Sequence, residues 1–343
     1  MVDMREERRE TKRNVLLSRS LERAVRESLE SGGQVLLFLN RRGFHVFCRC
    51  MECGAALRCP NCDITLTYHK KPGVLSCHYC GHREPVASRC PECGAFALSY
   101  AGTGTERVED ALAALFPGAR IRRMDADTTT RRNSHGEILG AFRRGETDIL
   151  VGTQMIAKGL DYPNITVVGV LDADLSLVVP DFRSFERTFQ LLAQVAGRTG
   201  RGESGGRVII QTSRPDLPAV RFAAAHDYES FARSELEQRM KFGYPPYSRL
   251  CRLLARSASA SSARDFLASA RALLAQRAAS LGVALLGPVP APLSRIEGKY
   301  RYHMLMKSPG QRELLELTDL MRLQLRPPGD VTLAVDMNPV SLL

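Results

Sequence analysis

The chain has 343 residues. That is enough for two or three modest domains, because single hydrophobic cores rarely grow past about 250–300 residues. Apolar residues make up 44% and charged residues 25%, an ordinary globular usage that excludes a disordered or collagen-like chain. No apolar run approaches the roughly 20 residues of a membrane span. The charged N-terminus also lacks the apolar centre of a signal peptide, so we expect a cytoplasmic protein without a membrane partner.

The charge balance favours a polyanionic partner. Lysine and arginine outnumber aspartate and glutamate by 48 to 37, which gives a formal net charge of +11. An excess of this size is typical of proteins that bind nucleic acid.

Helices and strands alternate through the first two thirds of the chain. Residues 1–13 carry charge but no motif, and residues 18–31 have the apolar spacing of a helix, with Ser18 or Ser20 as its N-cap. The apolar run at 34–39 predicts a buried strand, and 98–101 predicts a second strand that rejoins the same sheet. Further helices are predicted at 105–116, 134–144 and 185–196, and further strands at 120–124, 148–151, 165–171 and 208–211.

Repeated units of this kind predict an α/β fold with an open parallel sheet and right-handed crossovers. Ligands of such sheets bind at the carboxyl ends of the strands. We expect residues 1–47 and 94–215 to form this discontinuous lobe, with an insertion at 48–93.

A composition change near residues 214–218 predicts a domain boundary. A helical linker at 216–248 ends in a rigid Tyr-Pro-Pro-Tyr bend, and residues 249–343 have the order of a small α+β domain. Its predicted elements are strands at 249–255, 302–307 and 331–335, helices at 261–280 and 311–325, and a proline-rich crossing at 287–292.

Eight of the ten cysteines form four C-x-x-C pairs within the insertion. In a chain without an export signal this pattern favours metal over disulfides. Two such loops complete a tetrahedral Cys₄ zinc site, and a saturated site is structural rather than catalytic. Thioredoxin-like redox chemistry is the weaker alternative, because redox proteins rarely need four pairs in tandem. The pairs are Cys50/Cys53, Cys59/Cys62, Cys77/Cys80 and Cys90/Cys93.

A nested arrangement of the four pairs is our preferred prediction, although crossed and consecutive pairings also satisfy the count. The fourteen residues between Cys62 and Cys77 suit a hairpin, whereas the five between Cys53 and Cys59 are tight for one shared ion. Zinc 1 would then bind Cys50, Cys53, Cys90 and Cys93, and zinc 2 would bind Cys59, Cys62, Cys77 and Cys80. We expect the neighbouring histidines, His45, His69, His78 and His82, to be bystanders, and Cys48 and Cys251 to be ordinary thiols.

Two segments carry features of a nucleotide site. Residues 151–161 read VGTQMIAKGLD directly after a predicted strand, where Gly152 allows the backbone to approach phosphate and Thr153 offers a hydroxyl. Residues 194–201 read QVAGRTGR and place Arg198 and Arg201 three residues apart. Paired guanidinium groups bind phosphoryl oxygens and offset the charge of γ-phosphate cleavage, although a solvated Arg-Gly loop has the same composition.

Together these blocks resemble a known family. The QVLLFLNRRG block (34–43), the strand-GTQMIAKGLD block and QxxGRxGR are similar to motifs IV, V and VI of superfamily 2 helicases, in the same order. The cysteine-rich insertion between motifs IV and V resembles that of a bacterial replication-restart helicase. So do LGPVPAPLSRIEGKYRYHMLMK (286–307) and AVDMNPVSLL (334–343). The resemblance covers nearly the whole chain and implies a RecA-like parallel-sheet helicase lobe, an inserted two-zinc module and a small α+β C-terminal domain.

The resemblance also implies roles for individual residues. Arg198 and Arg201 would face ATP, the second as arginine finger, and Gln194 would couple ATP to DNA. Gly159 and Asp161 would bind nucleotide. The expected DNA contacts are Thr153, Gln154 and Lys158 of motif V and Arg41 and Arg42 of motif IV.

Residues 299–303 interleave cations with aromatic side chains, a pattern that can stack bases and neutralise phosphate. A half-exposed strand produces the same alternation. With the support of the resemblance, we expect Lys299 and Arg301 to contact DNA.

The implied function is that of the C-terminal part of an ATP-dependent 3′–5′ DNA helicase. This helicase would recognise stalled or branched replication forks and initiate primosome assembly and replication restart. Its partners would be branched and single-stranded DNA, primosome proteins and single-stranded DNA-binding protein. The polarity, the pathway and these partners rest on the resemblance alone.

The sequence lacks two parts of an ATPase. It contains no G-x-x-x-x-G-K-[ST] motif and no Asp-Glu dipeptide that could begin a Walker B box. We therefore expect two Zn²⁺ in this chain, but ATP and Mg²⁺ only together with a missing first lobe. We also expect a fragment of a longer gene product that is inactive alone. The alternative is a non-enzymatic zinc-ribbon DNA-binding adaptor with a vestigial RecA-like lobe.

Overall fold

The computed structural model describes residues 1–12, 15–39, 48–69, 73–86, 88–99, 105–125, 134–153, 164–197 and 206–342. Within these residues the helices are α1 (Met4–Thr11), α2 (Arg19–Glu30), α3 (Thr105–Leu115), α4 (Ser134–Arg143), α5 (Asp174–Leu177), α6 (Ser184–Ala196), α7 (Pro218–Ala224), α8 (Tyr228–Lys241), α9 (Ala260–Ser280) and α10 (Gln311–Gln324).

The strands of the first part are β1 (Val2–Asp3), β2 (Gln34–Phe38), β3 (Arg49–Cys50), β4 (Thr67–His69), β5 (Val74–Ser76), β6 (Arg83–Pro85), β7 (Leu98–Ser99), β8 (Ile121–Met124), β9 (Ile149–Gly152), β10 (Ile165–Val170) and β11 (Arg207–Thr212). The last part adds β12 (Arg249–Ser257), β13 (Ala284–Ile296), β14 (Lys299–Ser308) and β15 (Thr332–Met337). None of the described helices combines the length and the apolar character that a bilayer crossing requires.

The predicted parallel sheet is confirmed. Six strands pair in the order β1-β11-β10-β2-β9-β8, and every pair is parallel. All five residues of β2 are buried, because alternate side chains enter two different cores. Val35 and Leu37 pack under α2 and α3, whereas Leu36 and Phe38 pack against α4, α6 and α7 on the other face.

Helix α2 begins where the sequence predicts. Ser18 is its N-cap, and its hydroxyl accepts a hydrogen bond from the Leu21 amide at 3.2 Å. Leu21 and Val25 are fully buried over the sheet. The N-terminal segment differs from the prediction, because the charged first residues form β1 at the sheet edge and then α1, capped by Asp3.

The described part of the strand predicted at 98–101, Leu98–Ser99, does not rejoin the main sheet, and that prediction is wrong. Strand β7 instead pairs antiparallel with β3, so Arg49 lies opposite Ser99 and Cys50 opposite Leu98. The insertion therefore leaves and re-enters the lobe through a two-stranded neck. Beyond the neck, β4, β5 and β6 form a small antiparallel sheet.

Two short helices, α7 and α8, form the predicted helical linker. The chain turns between them at His226, whose φ is +55°. Asp227 then caps α8 by accepting from the Ser230 amide at 3.0 Å. A histidine with positive φ ends one helix, and the following aspartate begins the next.

The C-terminal domain is α+β, as predicted. Its antiparallel sheet has the order β13-β14-β12-β15, and α9 and α10 pack on one face. The predicted proline-rich crossing at 287–292 is wrong, because these residues belong to strand β13. Strand β13 is at the sheet edge, where a missing proline N–H costs no ladder hydrogen bond.

Substitution of Gly169 tests the packing of the central sheet. A Cβ on this β10 residue would lie 2.7 Å from Leu37 Cδ2 and 2.9 Å from Leu21 Cδ1. We expect Gly169→Ala to destabilise the chain by about 1–3 kcal/mol through overpacking, measured by urea denaturation. Gly118→Ala is the control, because a Cβ added at Gly118 would have no other atom within 4 Å. An unchanged urea midpoint for Gly169→Ala would contradict this packing.

Candidate metal centres and the carboxyl edge of the sheet

The four C-x-x-C pairs share one backbone conformation. In each knuckle the amide of the first cysteine donates to the carbonyl five residues later, and the amide four residues later donates back to that cysteine. These hydrogen bonds are 2.8–3.1 Å long. The residue after each second cysteine has positive φ, a conformation that favours glycine. These residues are Gly54, Asp63, Gly81 and Gly94.

The structure gathers the eight thiols into two groups. Cys50, Cys53, Cys90 and Cys93 form the outer group, and Cys59, Cys62, Cys77 and Cys80 form the inner group, which is the nested arrangement. Within each group the sulfur atoms lie within 4.8 Å of one another. No histidine belongs to either group among the described residues, and His45 lies outside them.

The spacing of the sulfur atoms fits tetrahedral zinc. Cys50 Sγ lies 3.6 Å from Cys93 Sγ, and Cys59 Sγ lies 3.7 Å from Cys80 Sγ. Four sulfurs at about 2.3 Å from one ion are separated by roughly 3.8 Å, whereas a disulfide bond is only about 2.05 Å long. The donor set and the distances therefore support two zinc ions.

The two groups differ in their surroundings. Cys93 of the outer group is exposed, whereas three of the four inner cysteines are buried. Backbone amides of Tyr79 and His82 donate to the inner sulfurs of Cys77 and Cys80 at 3.4 Å. Such donors offset the negative charge of metal-bound thiolates.

The inner knuckles contact the lobe and the linker. The fully buried Tyr79 accepts a hydrogen bond from the Phe182 amide of the lobe at 3.2 Å, and burial raises the pKa of Tyr79. Tyr244 of the linker donates to the Cys62 carbonyl at 2.7 Å and stacks on Phe182, with 4.9 Å between ring centroids. The loops that carry the inner thiols thus also pack against the rest of the chain.

The C-terminal domain also contacts the inner group. His303 Nε2 lies 2.5 Å from the His78 carbonyl, and His78 Nδ1 lies 2.8 Å from the Pro290 carbonyl. Burial lowers the pKa of His303 to about 3, so the ring is neutral at physiological pH and donates from Nε2.

The neck of the insertion is fixed to the carboxyl edge of the main sheet. Arg49 forms a two-point ion pair with Asp172, which follows β10, at 2.8 and 3.1 Å. The charge of Asp172 holds the pKa of Arg49 above its ordinary value. Arg49 directly precedes the zinc ligand Cys50, so this ion pair positions the outer group.

A second carboxylate lies behind this ion pair. Asp174 is buried and accepts hydrogen bonds from the Thr212 hydroxyl at 2.5 Å and the Ser213 amide at 2.8 Å. Burial and then the neighbouring Asp172 raise the pKa of Asp174 to about 6. Sequence reasoning missed both aspartates, although their position just after a buried strand is where ligands and partners of parallel sheets gather.

The C-terminal segment anchors the start of α6. The Asp181 carboxylate accepts from the Leu342 amide at 3.2 Å and the Ser341 hydroxyl at 3.3 Å, and it pairs with Arg187 at 3.2 Å. Helix α6 carries the predicted coupling residue Gln194, which is exposed.

Few of the predicted nucleotide and DNA residues lie in the described chain. Thr153 is half-buried at the end of β9, where its amide donates to the Met124 carbonyl at 3.4 Å. Lys299 is exposed on β14, whereas Arg301 is buried. Arg41, Arg42, Gln154, Lys158, Gly159, Asp161, Arg198 and Arg201 lie outside the described residues.

Comparison with known proteins identifies the class of protein to which the lobe belongs. The model of the helicase conserved C-terminal domain matches residues 98–203, so the lobe belongs to the class of helicase C-terminal domains. The PriA DNA helicase Cys-rich region domain matches 59–85, and the primosomal protein N C-terminal domain matches 240–340. The chain belongs to the PriA family of replication restart proteins.

Individual relatives cover the chain end to end. Replication restart protein PriA of Bacillus subtilis is 43% identical over 100% of this chain and 43% of its own length. The PriA protein of Synechocystis is 42% identical over 100% of this chain and 41% of its own length. The chain thus spans about two fifths of these relatives. Among solved structures, the Pyrococcus furiosus Hef helicase domain is 19% identical, with a TM-score of 0.28 over 60% of this chain and 27% of that one.

Zinc content tests the nested grouping. We expect two zinc ions per chain by atomic absorption, and one in the double variant Cys53→Ser/Cys90→Ser, since both substitutions fall in the outer group. The variant Cys53→Ser/Cys59→Ser damages both groups and should retain none. Cys251→Ala, a buried cysteine outside both groups, is the control. One zinc in Cys53→Ser/Cys59→Ser and none in Cys53→Ser/Cys90→Ser would indicate consecutive pairing instead.

The pH dependence of stability tests the environment of Asp174. Its pKa rises from an ordinary 3.8 to about 6 on folding, so the folded state binds this proton more tightly than the unfolded state. Protonated Asp174 therefore stabilises the folded state fully below pH 3.8, and this stabilisation is lost as the pH rises through 6. We expect Asp174→Asn to gain up to about 3 kcal/mol relative to the unsubstituted chain between pH 4 and 7. The measurement is urea unfolding across that range, with the exposed Asp265→Asn as control. A stability difference that does not change with pH would contradict it.

Proposed function

We propose that this chain is the C-terminal part of an ATP-dependent 3′–5′ DNA helicase that acts in replication restart. One arrangement carries the proposal: a Cys₄ module inserted after β2, at the carboxyl edge of the parallel sheet. The segments with the motif V and motif VI sequences follow β9 and α6 of the same lobe. Membership in the PriA family supports a restart role, and the adaptor alternative is not favoured.

The proposed ATP-facing groups belong to motif VI. Arg198 and Arg201 follow α6, whose first turn is anchored through Asp181. Guanidinium groups there would bind phosphoryl oxygens and offset the charge that develops as the γ-phosphate leaves. Gln194 would link this event to DNA, and Gly159 and Asp161 would bind the nucleotide. Mg²⁺ would neutralise the phosphate charge together with groups of a first lobe.

We assign the eight thiolates to two structural Zn²⁺ ions, in the nested groups described above. Each ion would be saturated by four sulfurs, with no position left for a reacting water. The ions would keep the neck and the inner knuckles rigid. The module would then be a rigid part of the protein during duplex separation, because Arg49 and Tyr79 fix it to the lobe.

The proposed DNA track runs along the lobe and continues to the C-terminal domain. In the lobe it includes Arg41, Arg42, Thr153, Gln154 and Lys158, and in the C-terminal domain Lys299 and Arg301. The net charge of +11 supports binding of branched and single-stranded DNA. The protein partners would be primosome proteins and single-stranded DNA-binding protein. The complex would act in the cytoplasm.

Substitution of the proposed arginine finger tests the enzymatic role. In the full-length protein, we expect Arg201→Ala to lower DNA-stimulated ATP hydrolysis by about 10³-fold or more, because the transition-state charge loses its counter-charge. DNA binding should change little. Arg207→Ala is the matched control, because Arg207 is an exposed arginine paired with Glu27 at 2.6 Å.

The assays are steady-state ATPase kinetics and fluorescence anisotropy with a forked DNA. Retained turnover in Arg201→Ala would remove this arginine from the mechanism. A full-length protein that binds forks but hydrolyses no ATP, even without substitution, would instead favour the adaptor function.

A further inference from the structure

One face of the C-terminal sheet carries an unusual group of cations. Leu253 and Ala255 of β12 pack under α9 and α10, so Arg256 points to the opposite face. Arg301 of β14 lies directly opposite Arg256 in the antiparallel register, and directly opposed residues share a face. Lys299 lies two residues before Arg301 and therefore on the same face.

These side chains line a cavity of about 200 Å³. Its remaining walls are Ile296, Glu297 and Thr332. The cavity thus combines three cations with a single carboxylate. Within the described chain, Glu297 forms no ion pair with any of the three cations.

Arg301 is the buried member of the group. It is 7% exposed, and its Nη1 donates to the Leu293 carbonyl at 2.9 Å. Its Nε is buried and has no hydrogen-bond partner. A buried donor without a partner is energetically unfavourable, so a ligand acceptor that reached this nitrogen would restore a lost interaction.

Electrostatic repulsion between the opposed side chains of Arg256 and Arg301 is a second unfavourable interaction. Like charges directly opposite each other on neighbouring strands destabilise a sheet. Burial, followed by the charge of Arg256, lowers the pKa of Arg301, and burial followed by Arg301 lowers the pKa of Arg252 to about 10. Proteins retain local conflicts of this kind where they serve a function.

The hairpin turn next to the cavity has a defined geometry. Glu297 and Gly298 connect β13 to β14 and have φ values of +50° and +78°. Positive φ at both central residues is the pattern of a tight type I′ hairpin. Arg295 packs over the Tyr300 ring at 4.9 Å. Lys299 is therefore held beside the cavity by a short, well-defined turn.

We propose that Arg256, Lys299 and Arg301 form a binding pocket for one phosphate group of a nucleic acid strand. The two guanidinium groups provide planar N–H donors that match phosphate oxygens, and Lys299 adds an exposed point charge. Thr332 offers a hydroxyl on the neighbouring strand. The choice of a nucleic acid as carrier rests on the proposed function. The pocket itself rests only on the cations, the cavity and the unpaired Nε.

Salt-dependent DNA binding is the first test. Arg256 is exposed, so Arg256→Gln removes one charge with little risk to folding. We expect it to weaken binding of a fluorescein-labelled oligothymidylate in anisotropy measurements and to lower the slope of log K against log salt by about 1. Lys299→Gln should act similarly. Arg264→Gln is the matched control, because Arg264 lies on the helical face and pairs with Asp265 at 2.8 Å.

Thermal unfolding is the second test and needs no DNA. Inorganic phosphate, compared with chloride at equal ionic strength, should raise the midpoint of the unsubstituted chain by about 2 °C or more. Arg256→Gln should lose this response. It should also melt no lower than the unsubstituted chain in low-salt chloride, since it removes the opposed positive charge. Arg264→Gln should keep the full phosphate response.

The outcomes separate the pocket from its ligand and from the enzymatic role. Loss of both the salt slope and the phosphate response in Arg256→Gln supports the proposal. Loss of the phosphate response with an unchanged DNA slope, together with a thermal shift in ADP that Arg256→Gln also loses, assigns the pocket to a free nucleotide and overturns the nucleic acid carrier. Unchanged behaviour in both assays overturns the pocket. None of these results depends on whether Arg201→Ala abolishes ATP hydrolysis.

Discussion

The inner group of cysteines is the constraint on which the rest of the structure depends. The insertion is too short to bury an extensive core of its own, and its inner knuckles share one apolar cluster with residues from every other region. Phe182 comes from the lobe, Tyr244 from the linker, Leu305 from the C-terminal sheet and Leu342 from the end of the described chain. Metal coordination at these knuckles would therefore fix the relative positions of the lobe and the C-terminal domain.

Much of the lobe and of the metal centres could be predicted from the sequence, because the signals are local. The unbroken apolar run of β2 indicates burial on both faces, and Ser18 indicates a helix start. The C-x-x-C spacing with a following glycine determines a knuckle within five residues. In one knuckle Asp63 stands where the others have glycine, and its carboxylate forms an ion pair with Arg58 at 2.8 Å. The family resemblance rested on the same short blocks.

The remaining features depend on contacts between distant parts of the chain. Strand β7 pairs with β3 because the insertion closes its own neck, and no feature of residues 98–101 specifies that partner. The proline-rich β13 is a strand because an edge position tolerates missing amides. Arg256 was not singled out, because its opposition to Arg301 exists only after β12 and β14 pair. The raised pKa of Asp174 likewise arises only after folding, when burial beside Asp172 and the end of β11 disfavours its charged form.

The neck formed by β3 and β7 has an evolutionary consequence. The chain leaves and re-enters the lobe at two paired residues, Arg49 and Ser99. The insertion therefore begins and ends at one point of the lobe. Segments of the insertion that contact nothing outside it can change in length without altering the order of the six parallel strands, whereas the inner knuckles, which pack against the lobe and the C-terminal sheet, cannot. Lineages can thus lengthen or shorten those segments while the parallel sheet and the inner knuckles keep their architecture.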